Sequence, residues 1–176
     1  MGKLFRNYLN SFRLAEESEA EEFRSLTDDL LARPEVQQLE EIVHHHSVSR
    51  LQHAKSVAYL TYLHCKKKGL LAEEATRAAL LHDLFYSHRR QKEGREKHML
   101  RRHPAIALKN AKRLIPLSQV QEDIIARHMW PFVKFPRTRE GRIVTYMDKY
   151  CALHEFLRHC FPPLYSKRPK RKELAP

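Results

Sequence analysis

Glycine is scarce in this sequence, with four in 176 residues. A chain so poor in glycine lacks the usual turn residues of a strand-rich fold, which favours helices. Long apolar runs are also absent, so we expect no membrane-spanning helix. Cysteines are few as well: Cys65, Cys151 and Cys160 are odd in number and lack the spacing of a disulfide framework. This usage is typical of a reduced, cytoplasmic protein.

Targeting patterns are missing at the N-terminus. The stretch MGKLFRNYLNSFRLAEESEA alternates charged and apolar side chains, unlike the apolar centre of a secretory signal. Arg6 stands where a myristoylation pattern needs Ser or Thr. We therefore expect a cytoplasmic protein without a membrane anchor.

Positive charge dominates the composition. The formal net charge is +12 and the isoelectric point is about 9.8, which indicates an anionic partner: a nucleic acid, a phosphorylated small molecule or a membrane surface. The charge is uneven, because EESEAEEF is acidic whereas HRRQKEGREKHMLRRH and the tail KRPKRK are basic. A solvated chain end is the simpler interpretation of the tail.

Apolar spacing predicts helices along the whole chain, hence an all-α fold of about seven helices in a single domain. Capping residues, prolines and Gly69 set most of the boundaries. The expected basic loop covers residues 87–100, and a second loop holds MWPFVKFP. The predicted helices cover residues 2–13, 15–32, 35–45, 49–68, about 73–83, 104–115, 118–128 and 139–160.

An unusual polar pair lies in one apolar helix. His82 and Asp83 interrupt AALLHDLFY, and a buried imidazole beside a buried carboxylate needs compensation. A divalent metal ion supplies it, since it binds both neutral imidazole nitrogen and carboxylate oxygen. Further candidate ligands are His and Asp residues among apolar neighbours on other predicted helices: His53, His103, His128 and Asp148.

The order and spacing of these His and Asp residues resemble the signature of a known family. The blocks RLQHAKSVA, AALLHDLF and MDKYCALHEF resemble the signature of HD-domain metal-dependent phosphohydrolases: a His, a His-Asp pair about thirty residues on, and a distant Asp. The histidines in RRHPAIALKNAKRL and EDIIARHMWP are similar to those of the subgroup that binds two metals. The spacing is most similar to bacterial members that split diadenosine tetraphosphate symmetrically at a di-iron centre.

The resemblance implies a fold, a ligand set and a chemistry. It covers about residues 44–160, leaving residues 1–43 as a helical N-terminal extension and 164–176 as a basic tail. His53, His82, Asp83 and Asp148 would hold one metal ion. His103 and His128 would hold a second, with Asp83 bridging both. A metal-bridging hydroxide would then attack a phosphoester or phosphoanhydride of a nucleotide or other small phosphorylated compound.

Chemical reasoning agrees with these implications. Nitrogen and carboxylate ligands without thiolates suit iron, which the resemblance favours, or manganese, cobalt or zinc. Asp83 is then both ligand and catalytic residue. Lys149 beside Asp148, and Arg89 or Arg90 just past the His-Asp pair, are candidates to bind phosphate oxygens. The expected partner is a small phosphorylated substrate, with the protein as monomer or homodimer.

Simpler structural roles remain open for each of these residues. His82-Asp83 could be a helix-terminal His with a surface Asp, and His53 and Asp148 could be polar residues on helix flanks. His103 could cap the helix that Pro104 begins, and His128 could interact with the negative end of its own helix. Solvated charges would account for Arg89, Arg90 and Lys149. The triplet His44–His46 could be a surface run or could approach a substrate.

Two other functions compete with hydrolysis. A mixed-valent di-iron oxygenase of the inositol-oxygenase type has the same ligand order. A non-catalytic basic module could bind nucleic acid and keep the metal for stability. Phosphate release, dioxygen consumption and salt-dependent nucleic-acid binding without turnover distinguish the three.

Overall fold

Helices dominate the computed structural model, which describes residues 2–12, 18–44, 48–86 and 96–162. Eight α-helices and a short 3₁₀ helix lie within these residues, which confirms the all-α fold. None of the described helices is both long enough and apolar enough to cross a membrane. The α-helices are α1 (Lys3–Asn10), α2 (Ser18–Leu31), α3 (Pro34–Gln37), α4 (Arg50–Lys67), α5 (Ala72–Leu81), α6 (Glu96–Leu114), α7 (Gln119–Arg127) and α8 (Arg139–Cys160).

Side-chain caps fix the starts of three long helices. Ser49 accepts a hydrogen bond from the Gln52 amide at the start of α4, and Thr138 caps α8 in the same way. Ser118 and Gln121 form the predicted capping box of α7. Gly69 follows α4 with a φ of 61°, a left-handed conformation that favours glycine. The sequence therefore predicts these boundaries closely.

Helix α4 occupies the middle of the bundle. It packs against α5 on one side and α8 on another, and α7 contacts α5, α6 and α8. The N-terminal helices pack on this core: Tyr8 is fully buried, and the Phe23 ring meets Tyr59 edge-on at 5.4 Å between centroids. Arg77 on α5 also forms a two-fold ion pair with Asp29 on α2.

The predicted helix over residues 35–45 is wrong. α3 ends at Gln37, a 3₁₀ turn covers Gln38–Glu41, and Val43–His44 pairs antiparallel with Val48–Ser49. β-branched Ile42, Val43 and Val48 favour an extended backbone over a helix. The Arg50 amide donates to the Ile42 carbonyl, which ties this turn to the start of α4.

The start of α6 also differs from the prediction. The helix begins at Glu96, so Pro104 lies inside it rather than in its first turn. The predicted basic loop therefore ends before residue 96, and its remaining residues, 87–95, lie outside the described residues. The prediction placed the start of the helix at Pro104 because proline favours the first turn. A helix can nevertheless continue past a proline where tertiary packing outweighs the missing hydrogen bond.

Candidate metal centre

Six polar residues converge inside the bundle. They come from α4, the turn after α5, α6, the end of α7, and α8, and each is at most 9% exposed. The sequence predicted all six from their apolar surroundings. The structure brings them together as expected for side chains that share one centre. They are His53, His82, Asp83, His103, His128 and Asp148.

One half of the cluster, here the Asp148 half, consists of His53, His82 and Asp148. The Asp148 Oδ1 atom lies 3.1 Å from His53 Nε2 and 3.7 Å from His82 Nε2. Ligand atoms of these three residues all lie within 4.8 Å of one another, as they would around a single ion. Two imidazoles and one carboxylate form a ligand set for a divalent transition metal.

The other half, here the Asp83 half, consists of Asp83, His103 and His128. The Asp83 Oδ1 atom lies 3.2 Å from His103 Nε2 and 3.5 Å from His128 Nε2. The two imidazole Nε2 atoms are 2.9 Å apart. This half therefore also presents two imidazoles and one carboxylate.

His82 joins the two halves. Its ring meets the His128 ring edge-on with centroids 4.8 Å apart, and it lies 5.5 Å from the His53 ring. A ligand atom of His82 also groups with ligand atoms of Asp83 and His128 within 4.8 Å. The two halves are thus immediate neighbours in one buried cluster.

Every histidine of the cluster turns its Nδ1 atom away from the centre. Three of these atoms contact backbone carbonyls: His82 Nδ1 at 2.6 Å from the Ala79 oxygen, and His103 and His128 Nδ1 each at 2.9 Å from the oxygens of Met99 and Ile125. A carbonyl can only accept, so each Nδ1 donates. In the neutral ring, Nε2 then carries the lone pair and can bind a metal ion.

This arrangement fits a bound cation. With both Nδ1 atoms protonated, the lone pairs of His103 Nε2 and His128 Nε2 face each other at 2.9 Å, which is unfavourable for neutral rings without a cation nearby. His82 Nε2 is fully buried and has no hydrogen-bond partner among the described residues. Nitrogen and carboxylate donors without thiolate suit iron, manganese, cobalt or zinc.

The electrostatics of the cluster are strongly coupled. Burial alone would raise the pKa of both aspartates, but the neighbouring histidines hold the pKa of Asp83 and of Asp148 well below its ordinary value. Burial would lower the pKa of His53, yet carboxylates on either side raise it well above 6.5. Burial lowers the pKa of His128. Both aspartates are therefore held as carboxylates, the form that binds metal.

Two charged residues at the cluster were missed in the sequence. Glu155 is fully buried, and its Oε1 lies 2.8 Å from His53 Nδ1. It follows Asp148 by seven residues, two helical turns along the same face of α8, and this spacing was an available signal. Arg50 precedes His53 by three residues and is 6% exposed. Its guanidinium lies 3.8 Å above the Phe85 ring centroid.

The predicted phosphate-binding residues are less well placed. Lys149 is exposed beside buried Asp148; burial of part of its side chain lowers the pKa of the amine, while the Asp148 carboxylate raises it. Arg89 and Arg90 lie outside the described residues, as do His45 and His46 and the side chain of His44. Among the described cations, Arg50 is buried and interacts electrostatically with Asp83.

The buried histidines and aspartates define a helical protein with a candidate metal site. Comparison with protein families gives a match to the HD domain over residues 50–153, which is more than half of the chain and includes all six cluster residues. The chain belongs to the HD domain family. Comparisons with curated proteins and with solved structures give no significant match.

Proposed function

We propose that the protein is a metal-dependent phosphohydrolase that cleaves a phosphoester or phosphoanhydride of a nucleotide or another small phosphorylated compound. Membership of the HD domain family implies metal-dependent phosphohydrolase chemistry in general. The observation that carries the proposal is the pair of adjacent His-His-Asp groups, each gathered around one buried carboxylate oxygen.

Two divalent ions fit the proposal best. His53, His82 and Asp148 would hold one ion, and His103 and His128 the other, with Asp83 shared between them. When bound, such ions lower the pKa of water and neutralise phosphoryl oxygens. Nitrogen and oxygen ligands suit iron, manganese, cobalt and zinc, and iron is our first choice because of the resemblance to HD hydrolases with a di-iron centre.

The charge of the cluster supports an anionic substrate. Among the described residues at the cluster, the three buried carboxylates of Asp83, Asp148 and Glu155 outnumber the one buried guanidinium, that of Arg50, so the site is negative when its histidines are neutral. Two divalent ions would reverse that sign if the histidines stay neutral. The loaded site would therefore attract a phosphate group, whose negative charge it would offset.

Arg50 is well placed to contact a phosphoryl oxygen. One terminal nitrogen donates to the Phe85 carbonyl at 2.6 Å, and the Phe85 ring in turn stacks on His103 at 4.9 Å between centroids. Its Nε atom is buried and has no partner among the described residues. A rigidly held guanidinium with donors to spare is a suitable phosphate ligand. Lys149 remains a second candidate.

A nucleotide is the proposed substrate class. This choice rests on the resemblance of the His and Asp spacing to bacterial enzymes that hydrolyse diadenosine tetraphosphate, and dinucleoside polyphosphates belong in any screen for that reason. The basic surroundings of the His-Asp pair in the sequence also favour a polyanionic substrate.

Metal reconstitution followed by a phosphatase screen tests the proposal. Metal-stripped protein is reloaded with iron, manganese, cobalt or zinc and assayed for phosphate or nucleotide release from mononucleotides, dinucleoside polyphosphates and sugar phosphates. We expect turnover that requires metal and is lost in Asp148→Ala. An absence of metal-dependent release from the whole set, by protein shown to hold metal, would contradict the proposal.

An iron-dependent oxygenase is a second candidate, and one observation favours it. Each half of the cluster has two imidazoles and one carboxylate, the composition found in many non-haem iron oxygenases. Dioxygen uptake by the iron-loaded protein in the presence of a polyol, without phosphate release, would support this alternative. Turnover with zinc or manganese under anaerobic conditions would exclude oxygenation as the source of that activity.

A further inference from the structure

We propose that Glu155 is a positioning residue that fixes the ring tautomer of His53 and strengthens the Asp148 half of the cluster as a metal site. The inference rests on the proposed metal centre but not on the identity of its substrate. Glu155 lies beyond the stretch that matches the HD domain family, residues 50–153. Its role therefore comes from the contacts of this chain alone.

The contact itself is close and fully buried. Both carboxylate oxygens of Glu155 approach His53 Nδ1, at 2.8 and 3.0 Å, and both side chains are fully buried. The opposite ring atom, His53 Nε2, faces Asp148 Oδ1 at 3.1 Å. Glu155 and Asp148 therefore hold the ring from its two sides, and the ring cannot rotate without losing both contacts.

Glu155 gives His53 a different acceptor from those of the other three histidines. Their Nδ1 atoms donate to neutral backbone carbonyls, whereas that of His53 donates to a carboxylate. A charged acceptor forms the stronger hydrogen bond. It also draws the Nδ1 proton away from the ring, which makes Nε2 a more basic metal ligand.

A contribution to folding stability alone does not explain why a carboxylate is buried at this position. An isolated buried charge is costly, and His53 is the residue that hydrogen-bonds to Glu155 among those that the structure describes. Replacement of a buried ion pair by apolar side chains is often neutral or stabilising. A buried Glu–His contact that leads directly to a ligand atom is better explained by metal binding.

Metal affinity and the tautomer are the two measurements that test the role of Glu155. Glu155→Met removes the acceptor at similar volume, and Glu155→Gln keeps an oxygen acceptor but removes the charge. We expect zinc binding by the Asp148 half to weaken by about ten- to a hundredfold in Glu155→Met, the usual effect of losing such a partner. Glu155→Gln should recover part of that affinity.

Proton NMR of the zinc-loaded protein reports the tautomer directly. The parent should show a downfield His53 Nδ1 proton, assigned from its loss in His53→Ala. That resonance should persist with a changed shift in Glu155→Gln and disappear in Glu155→Met through exchange with water. A structural role alone would change the unfolding temperature of the metal-free protein and leave the zinc affinity unaffected, even though the Nδ1 proton responds to the loss of its acceptor.

Glu140→Gln is the matched control. Glu140 is another buried carboxylate on α8, 8% exposed, but it accepts a hydrogen bond from the Leu71 amide at 3.3 Å instead of a histidine. Its replacement should leave zinc affinity within about twofold of the parent, since none of its hydrogen bonds within the described part of the chain is to a cluster residue.

Equal zinc affinity in Glu155→Met, Glu155→Gln and the parent would overturn the inference. If Glu155→Met does not fold, the comparison of Glu155→Gln with the parent decides the question: an unchanged affinity and an unchanged Nδ1 proton shift would overturn it. These measurements use no substrate. If the protein shows no hydrolase activity, the proposed role of Glu155 in metal binding is unaffected. If the Glu155 variants bind zinc as the parent does, the proposed hydrolysis is unaffected.

Discussion

Replacement of Asp83 by alanine should disable the Asp83 half of the cluster. Asp83 is 5% exposed, and its Oδ1 atom is the carboxylate oxygen nearest to His103 and His128, at 3.2 and 3.5 Å. Without it, two neutral imidazoles must hold a divalent cation in a buried site without local charge compensation. Metal should therefore bind there weakly.

The expected size of the effect follows from the burial of the contact. Removal of one partner of a buried charge pair costs about 3–5 kcal/mol. At about 1.4 kcal/mol per tenfold, metal affinity of this half should fall by about 10²–10⁴-fold. Folding of the metal-free protein should suffer less, because the substitution also removes a buried negative charge that needs compensation.

Metal content after gel filtration, zinc titration and phosphate release provide the assay. His64→Ala is the control, since it removes a histidine of α4 that lies outside the cluster. The variants should differ sharply in metal content and in turnover, while the circular dichroism of both metal-free proteins stays helical. If Asp83→Ala holds as much metal as the parent and turns over equally fast, the His-Asp pair is not the reaction centre.

Three further predictions concern substrate, fold and metal. Arg50→Met should raise KM for a phosphorylated substrate about ten- to a hundredfold, because the substrate loses one hydrogen bond to a charged group, and metal content should stay unchanged. An unchanged KM would mean that Arg50 does not bind the substrate. In thermal unfolding, Phe23→Ala should lower the free energy of unfolding by about 3–5 kcal/mol. The exposed control Leu153→Ala should lower it by less than about 0.5 kcal/mol, and equal losses in the two variants would mean that α2 does not belong to the core. Zinc at a hundred times its Kd should stabilise the folded protein by about 2.7 kcal/mol, which raises the unfolding temperature by about 5–10 °C. An unchanged unfolding temperature would count against a metal site that forms only in the folded protein.

The cluster residues could be predicted because local sequence marks them as anomalies. A His or Asp among apolar neighbours on a helix must be buried with a partner or be energetically costly. Chain order and helix assignment then show that the six come from five segments, which packing in a bundle can bring together. The distances depend on tertiary packing and were not predicted, whereas the grouping of His103 and His128 apart from His53, His82 and Asp148 was implied by the family resemblance.

Glu155 and Arg50 were not predicted as members of the cluster. Charged residues are common on helix surfaces, and the spacing of Glu155 from Asp148 was the one local signal that it shares the buried face of α8. Glu155 meets His53 across 102 residues of chain, so the contact exists only once α4 and α8 have packed together. The failed helix over residues 35–45 has a similar origin, because the pairing of Val43 with Ser49 overrides a weak local propensity.

The positions of His82 and His128 at helix ends account for their backbone acceptors, and His53 differs from them in position and in acceptor. His82 and His128 cap the C-terminal ends of α5 and α7, where the last carbonyls have no amide partner in the helix and are free to accept from an imidazole. His103 Nδ1 lies 2.9 Å from the Met99 carbonyl, four residues earlier within α6. His53 lies in the first turns of α4, where every nearby carbonyl already accepts from an amide further along the helix. Its Nδ1 atom contacts the Glu155 carboxylate of α8 instead, at 2.8 Å, so its acceptor comes from another element.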